Sequence, residues 1–205
     1  MSADVTVVGA GVIGLATAVA AARRGLRVTI VGDQRPGEAS SAAAGMLAPS
    51  VERSVGPAHD FAIAARDLYP SYVESLADET GIRVPLNRLG ILQVALTEAG
   101  VKGLQRTALP GTEWLDRQTV SELEPTLGHA LGAMMNPDDG AVDNVTLMRA
   151  LAAMADSSPL ITRLEATVLG VRNGAATHLA IELRDGSVQQ SPRRCAPQGP
   201  SPQGE

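Results

Sequence analysis

The chain has 205 residues, 44% of them apolar but only 2% aromatic, and carries a net charge of −5. This is enough for one sizeable domain or one and a half small ones, with a core resting on Ala, Val, Leu and Ile, and the charge excludes a general phosphate-backbone binder, so no nucleic-acid partner is expected. The single cysteine, Cys195, excludes an internal disulfide and a Cys-rich metal site and suits a reducing, cytoplasmic compartment; His59, His129 and His178 show no ligand spacing, so no metal is expected.

Val5 to Ala22 is uncharged and about as long as a membrane span. Against that reading, Asp4 precedes it, Arg23 and Arg24 follow it, and three regularly spaced glycines interrupt it. Its first part is β-branched and its second Ala-rich, which predicts strand, turn and helix rather than a membrane segment. "DVTVVGAGVIGLATAVAAARRGLRVTIV" then reads as a strand at Val5 to Val8, a glycine turn, a helix from about Ile13 to Arg24, Gly25 as its left-handed end, and a strand at Val28 to Val31.

Gly9, Ala10, Gly11 and Gly14 form G-x-G-x-x-G between strand and helix of one βαβ unit, the dinucleotide-binding arrangement. Gly9 permits the tight turn, Gly11 lets backbone N–H groups approach a pyrophosphate, and Gly14 lets the helix pack closely. The phosphate charge would sit on the positive end of the helix dipole. An acid is expected at the end of the second strand to bond a ribose hydroxyl. Gly32 occupies that place and Asp33 follows one residue later. Asp33 serves the ribose after a backbone adjustment, or it is an ordinary turn residue. On the first alternative, Gly32→Glu would restore an acid and tighten binding.

"GEASSAAAGMLAP", Gly37 to Pro49, lacks strand alternation, a broad apolar stripe and charge. Small side chains there let the backbone pass close to a large flat cofactor lying across the strand ends. Ser40 and Ser41 offer hydroxyl donors to phosphate or ribose.

Asp60 to Glu79 reads as a helix with Phe61, Ala64, Ala65, Leu68, Tyr72 and Leu76 on one face, kinked or broken at Pro70 and ended by Gly81. Ile91 to Leu96 reads as a strand and Thr97 onwards as a short helix. "WLDRQTVSELEP" reads as a strand end and a capped helix stopping before Pro125. In "NPDDGAVDN" adjacent carboxylates suggest acid–base work, but a solvated turn is the preferred reading. Asn144 or Asp143 caps a helix to about Ala155. Leu164 to Gln190, broken at "RNGA" and "RDGS", reads as a three-stranded antiparallel meander. Ser191 to Glu205 contains four prolines and no Val, Leu, Ile or aromatic residue, so no buried strand is expected there.

"GAGVIGLATA" followed by "PGEASSAAAGMLAP" resembles the FAD-dependent amino-acid oxidases of the D-amino-acid oxidase type, the glycine oxidases of thiamine biosynthesis above all. "ASSAAAGMLAP" is the specific part, and the likeness runs from about Asp4 to Gln190. The resemblance implies FAD as cofactor, held by Val12, Ile13, Asp33, Ala39, Ser40, Ala44, Gly45, Met46 and a backbone position at Val168. Gly45 would let the chain pass the isoalloxazine ring, and Met46 would touch it.

The fold class expected is α/β: a Rossmann-type FAD-binding domain with an antiparallel β-meander, plus part of an α+β substrate domain. The boundaries expected are 1–80 and 141–190 for the FAD-binding domain, 81–140 for the partial substrate domain, and 191–205 for a disordered tail. In the resembled family a sheet strand and the substrate-holding groups follow where the tail begins, so a frameshift near residue 190 or a truncated gene is expected. Hence no catalytic residue is assigned. The implied reaction oxidises glycine or another small amino acid to the imino acid with H₂O₂ release, and a homo-oligomer is one option for the full-length family. Two alternatives stand beside it: a catalytically incompetent FAD-binding remnant, and an NAD(P)-dependent dehydrogenase using the same fingerprint.

Overall fold

The computed structural model describes residues 3–33, 38–52, 56–173 and 178–192. The chain forms two compact units, Met1–Ala42 with Met148–Glu205, and Ala43–Leu147.

In the first unit, β1 (Val5–Val8), α1 (Val12–Ala22) and β2 (Val28–Val31) form the expected βαβ element. β1 and β2 pair in parallel, and β2 pairs in parallel with β9 (Ile161–Leu164), giving the order β1-β2-β9. Leu15, Ala18, Val19 and Ala22 bury one face of α1, at the i, i+3, i+4, i+7 spacing of a core-facing helix, and α1 packs across all three strands. Gly25 closes the helix in the left-handed region at φ 81°, its N–H bonded to the Ala22 carbonyl.

β10 (Val168–Asn173), β11 (His178–Leu183) and β12 (Val188–Pro192) form the expected antiparallel meander. Ile181 and Leu183 cluster with Val31 of the parallel sheet, flanked by Leu164, Ala166 and Val168, so the meander covers the ends of β2 and β9. The "RDGS" turn closes on Gly186 at φ 84°, whereas part of the "RNGA" turn lies outside the described residues. The composition break at Ser191 does not end the strand. Ser191 pairs with Leu179 and Pro192 with His178, and Ser191 is buried. A proline is tolerated there because it is the strand's last residue. Residues 193–205, Cys195 among them, lie outside the described residues.

In the second unit the "ASSAAAGMLAP" run continues as β3 (Met46–Leu47) and α3 (Pro49–Glu52), its preceding turn α2 (Ala39–Ala42) belonging to the first unit. β3 and β4 (Leu86–Asn87) flank β8 (Gly140–Val142), and β5 (Ile91–Ala95) and β6 (Glu113–Asp116) flank β7 (Gly132–Asn136); both sheets are antiparallel. Leu115, Val120, Ala130 and Ala133 form a core beneath the second of these. The short helices α5 (Glu98–Arg106) and α6 (Arg117–Leu123) start on side-chain caps from Thr97 and Asp116, as the sequence suggests.

The long helix departs from expectation. α4 (Pro57–Thr80) runs unbroken through Pro70 and ends on Gly81 at φ 72°. Its buried positions are Val73 and Leu76, with the Arg66 side chain only 9% exposed, while Phe61 and Leu68 are 76% and 60% exposed. The apolar period is real and Leu76 of its stripe is fully buried, but Phe61 and Leu68 of the same stripe face solvent while Val73 beside it is covered.

Candidate functional site

Where β1 and β2 end, the first unit forms a pocket of about 370 Å³, within the range of roughly 300–1,000 Å³ common for ligand sites. The turn supplies Val8, Gly9, Ala10 and Gly11, and the end of β2 supplies Val31, Gly32 and Asp33. Glu38, Ala39 and Ser40 come from α2 and its approach, and Ala166 and Val168 from the entry to β10. Seven expected residues therefore meet here: Gly9, Ala10, Gly11, Asp33, Ala39, Ser40 and Val168.

The glycines act through backbone geometry. Gly9 sits at φ +105°, where side chains rarely fit, and its N–H bonds the Val31 carbonyl at 2.8 Å, tying the turn to β2. A Cβ on Gly14 would lie 2.0 Å from the Gly9 carbonyl oxygen, so only glycine lets α1 begin this close to the turn. A Cβ on Gly11 would meet Ser40 Oγ at 2.8 Å, and that same hydroxyl oxygen accepts the Val12 N–H at 3.0 Å. Ser40 thus closes over the α1 N-terminus as an acceptor, where the sequence suggested only a donor. Ser41 Oγ instead donates to the Glu38 carbonyl at 3.1 Å. Val12, Gly14 and Ser41 adjoin the pocket lining along the chain without belonging to it, and Ile13 is 78% exposed.

Asp33 lines the pocket and its Oδ2 accepts the Thr167 hydroxyl proton at 2.7 Å. Gly32 cannot take over its task. A Cβ there would lie 2.8 Å from Ala10 N and 3.3 Å from Ala10 Cβ, so Gly32→Glu would push the two segments apart instead of restoring a contact. Among the described lining residues, Asp33 and Glu38 are acidic and none is Lys or Arg. A bound pyrophosphate would therefore depend on turn N–H groups and the α1 dipole. A glycine cradle, a helix N-terminus and an acid at the strand end match the adenosine diphosphate part of FAD.

Ala44, Gly45 and Met46 belong to the second unit. Gly45 sits at φ +67° with its would-be Cβ 2.0 Å from the Val142 carbonyl oxygen, and its own carbonyl accepts the Val142 N–H. Its glycine is thus required by the approach of β8, whatever else it touches. Met46 is half exposed.

Sequence reasoning missed a polar cluster in this unit. Asp139, read as part of a solvated turn, is fully buried, although Asp138 beside it is exposed. Its Oδ1 accepts from Ser50 Oγ at 3.1 Å and from Arg66 at 3.0 Å, and Arg66 also pairs with Asp67 at 2.9 Å. Burial pulls the Arg66 guanidinium toward neutrality, but the bonds and charges of Asp67 and Asp139 outweigh this and raise its pKa above the ordinary arginine value. Arg66 is thus a fixed cation, which suits holding structure rather than moving protons. Asp143, the third acid of that string, caps α7 (Asn144–Ser157) by accepting the Thr146 N–H at 2.7 Å. Among the described residues no group of three metal-ligating side chains occurs, and no helix is long and apolar enough to cross a membrane.

The family model for FAD dependent oxidoreductases (DAO) matches residues 4–193. The chain is 36% identical over 194 residues to the bifunctional protein ThiO/ThiG of Synechocystis sp., covering 92% of this chain and 28% of that one. It is 37% identical over 186 residues to the glycine oxidase of Geobacillus kaustophilus, covering 86% of this chain and 49% of the relative. The crystal structure of glycine oxidase from the same organism superposes with a TM-score of 0.83 at 33% identity, over 93% of this chain and 53% of the solved one. The chain thus spans about half the length of that oxidase and less of the bifunctional protein. With the dinucleotide turn built and the match running over almost the whole sequence, this chain belongs to the DAO family of FAD-dependent oxidoreductases.

Proposed function

We propose that the first unit is the FAD-binding domain of an enzyme oxidising glycine or another small amino acid, working in the cytoplasm in thiamine biosynthesis. In this reading the second unit carries part of the substrate-facing domain. The observation that supports it most is the convergence of Gly9, Gly11, Asp33, Ser40 and Val168 on one pocket at the α1 N-terminus. The turn and the helix dipole hold the pyrophosphate, Asp33 bonds the adenosine ribose, and the backbone at Val168 packs against the bound nucleotide. Held there, FAD would supply the redox chemistry, hydride acceptance from the amino acid's α-carbon and reoxidation by O₂, with the imino acid and H₂O₂ as products. The likeness to glycine oxidase and ThiO/ThiG supports this substrate class and pathway.

The visible spectrum of the purified chain after FAD titration tests the cofactor assignment. Perturbed flavin bands that survive desalting are expected for the wild type and lost in Gly11→Val, whose side chain displaces Ser40 and blocks the turn. Equal retention by both would overturn it.

A second reading concerns these 205 residues taken by themselves: they match about half of the oxidase and bind the cofactor without turning over substrate. Catalysis needs the substrate held in near-attack geometry over the flavin. No described residue of this chain has been placed in that role. We expect no peroxide release above the free-flavin background when the FAD-supplemented chain meets glycine. Clear substrate-dependent turnover would place the catalytic groups within these 205 residues.

A further inference from the structure

The Gly32–Ala10 approach leaves no room for an acid at the usual ribose position, and the next residue has to supply it. A shift of one residue along an extended chain sends a side chain to the opposite face. Gly32 is still in the ladder, its N–H bonded to the Leu164 carbonyl at 3.0 Å, so Asp33 is the first residue past the sheet. Yet Asp33 lines the pocket, and the bond the structure gives its carboxylate comes from Thr167, 134 positions away, at 2.7 Å. Thr167 is itself anchored. Its carbonyl accepts the Arg184 N–H at 2.9 Å, fixing it to the turn between β11 and β12, and its neighbours Ala166 and Val168 line the same pocket.

We propose that Thr167 is a positioning residue for the cofactor's adenosine ribose. Its hydroxyl aims the displaced Asp33 carboxylate at the ribose 2′-hydroxyl and so replaces the missing acid at position 32. Thr167 does not itself need to touch the nucleotide. The arrangement couples three positions: glycine at 32 excludes a side chain, aspartate at 33 carries the charge, and a hydroxyl at 167 sets its direction. The inference rests on the pocket being the adenosine end of the FAD site.

The test is isothermal titration of the full chain with ADP and with 2′-deoxy-ADP, for wild type, Thr167→Val and Thr167→Ser. Losing one oriented hydrogen bond should weaken ADP roughly three- to tenfold in Thr167→Val. Thr167→Ser should restore it, and 2′-deoxy-ADP should bind wild type and Thr167→Val alike. Unchanged ADP affinity in Thr167→Val, or equal weakening of both nucleotides, overturns the positioning role and leaves the site assignment standing. Wild type that binds FAD or ADP in neither case overturns the adenosine reading and this inference with it. Should Thr167→Val lose its folded circular dichroism, Thr167→Ala is judged by the same ratio of the two nucleotides.

Discussion

Asp33 in the first unit and Asp139 in the second both sit just past the end of a strand, in "VGDQ" and "PDDG", yet the chain uses them in opposite ways. Asp33 lines an open pocket, and its carboxylate accepts from the neutral Thr167 hydroxyl. Asp139 is sealed from solvent and held by a guanidinium and a hydroxyl, joining Ser50 after β3, Arg66 of α4 and the turn between β7 and β8. A carboxylate left accessible beside a weak partner can still bind a ligand. One sealed from solvent against a permanent cation is out of a ligand's reach. The surroundings decide the role, and both sets of partners come from far along the chain.

The largest effect that would break the contrast is on stability. Asp139→Ala leaves the nearly buried Arg66 with only Asp67, whose side chain is 51% exposed. Removing one member of a buried pair costs about 3–5 kcal/mol, and we expect the lower part of that range because Asp67 remains. Urea denaturation of the two chains measures it. The double variant Arg66→Met with Asp139→Leu should recover much of the loss, since no buried charge is left alone. A loss under about 1 kcal/mol for Asp139→Ala, typical of an exposed pair, would mean the cluster does not clamp the turn.

How much of this was legible in the sequence differs between the two units for the same reason. The βαβ element was readable because each of its glycines answers a local demand, such as the positive φ of Gly9 or the 2.0 Å approach of Gly14 to the Gly9 carbonyl. The caps at Thr97, Asp116 and Asp143 were readable on similar grounds, each bond spanning three residues. Ala166 and Thr167 were not readable as pocket neighbours of Asp33, because they arrive there only when β9 pairs with β2. The covered face of α4 was legible only in part, since a 3.6-residue period identifies a stripe, not what lies against it. Gly45 was read as yielding to a ring, and the Val142 carbonyl places a separate demand on it that a single sequence does not display. Turn chemistry likewise cannot distinguish Asp138 from Asp139, since their burial differs through Arg66 and Ser50 alone.

A smaller effect sharpens the other side. Asp33→Ala removes the bond from the neutral Thr167 hydroxyl at a pocket wall, a loss of about 1 kcal/mol. Binding should respond more. Losing a charge-assisted bond to the ribose predicts FAD weakened by roughly tenfold or more, with FMN unaffected because it lacks the adenosine ribose. Fluorescence titration with both flavins reads this directly. Equal loss of FAD and FMN would make Asp33 a structural acid like Asp139, and no loss of either would return it to an ordinary turn.

The smallest expected effect uses a third carboxylate that lies between these extremes in role. Asp116 sits at the start of α6, where its Oδ1 accepts the Thr119 N–H at 2.9 Å. That backbone bond, helped by the Thr119 side chain, holds its carboxyl below the ordinary value of 3.8. A depressed folded value means the charged cap stabilises the protein above the unfolded value, and that this contribution is lost as pH falls through the folded one. Asp116→Ala should therefore lower the melting temperature at neutral pH, and Asp116→Asn much less, since the amide oxygen can still accept the Thr119 N–H. The gap between wild type and Asp116→Asn should shrink once the pH drops below 3.8, because the wild-type carboxyl is then becoming neutral too. Melting curves of the three chains at neutral and acid pH decide it. A gap that persists unchanged in acid would show that charge at the α6 N-terminus contributes nothing, leaving geometry alone to account for the cap.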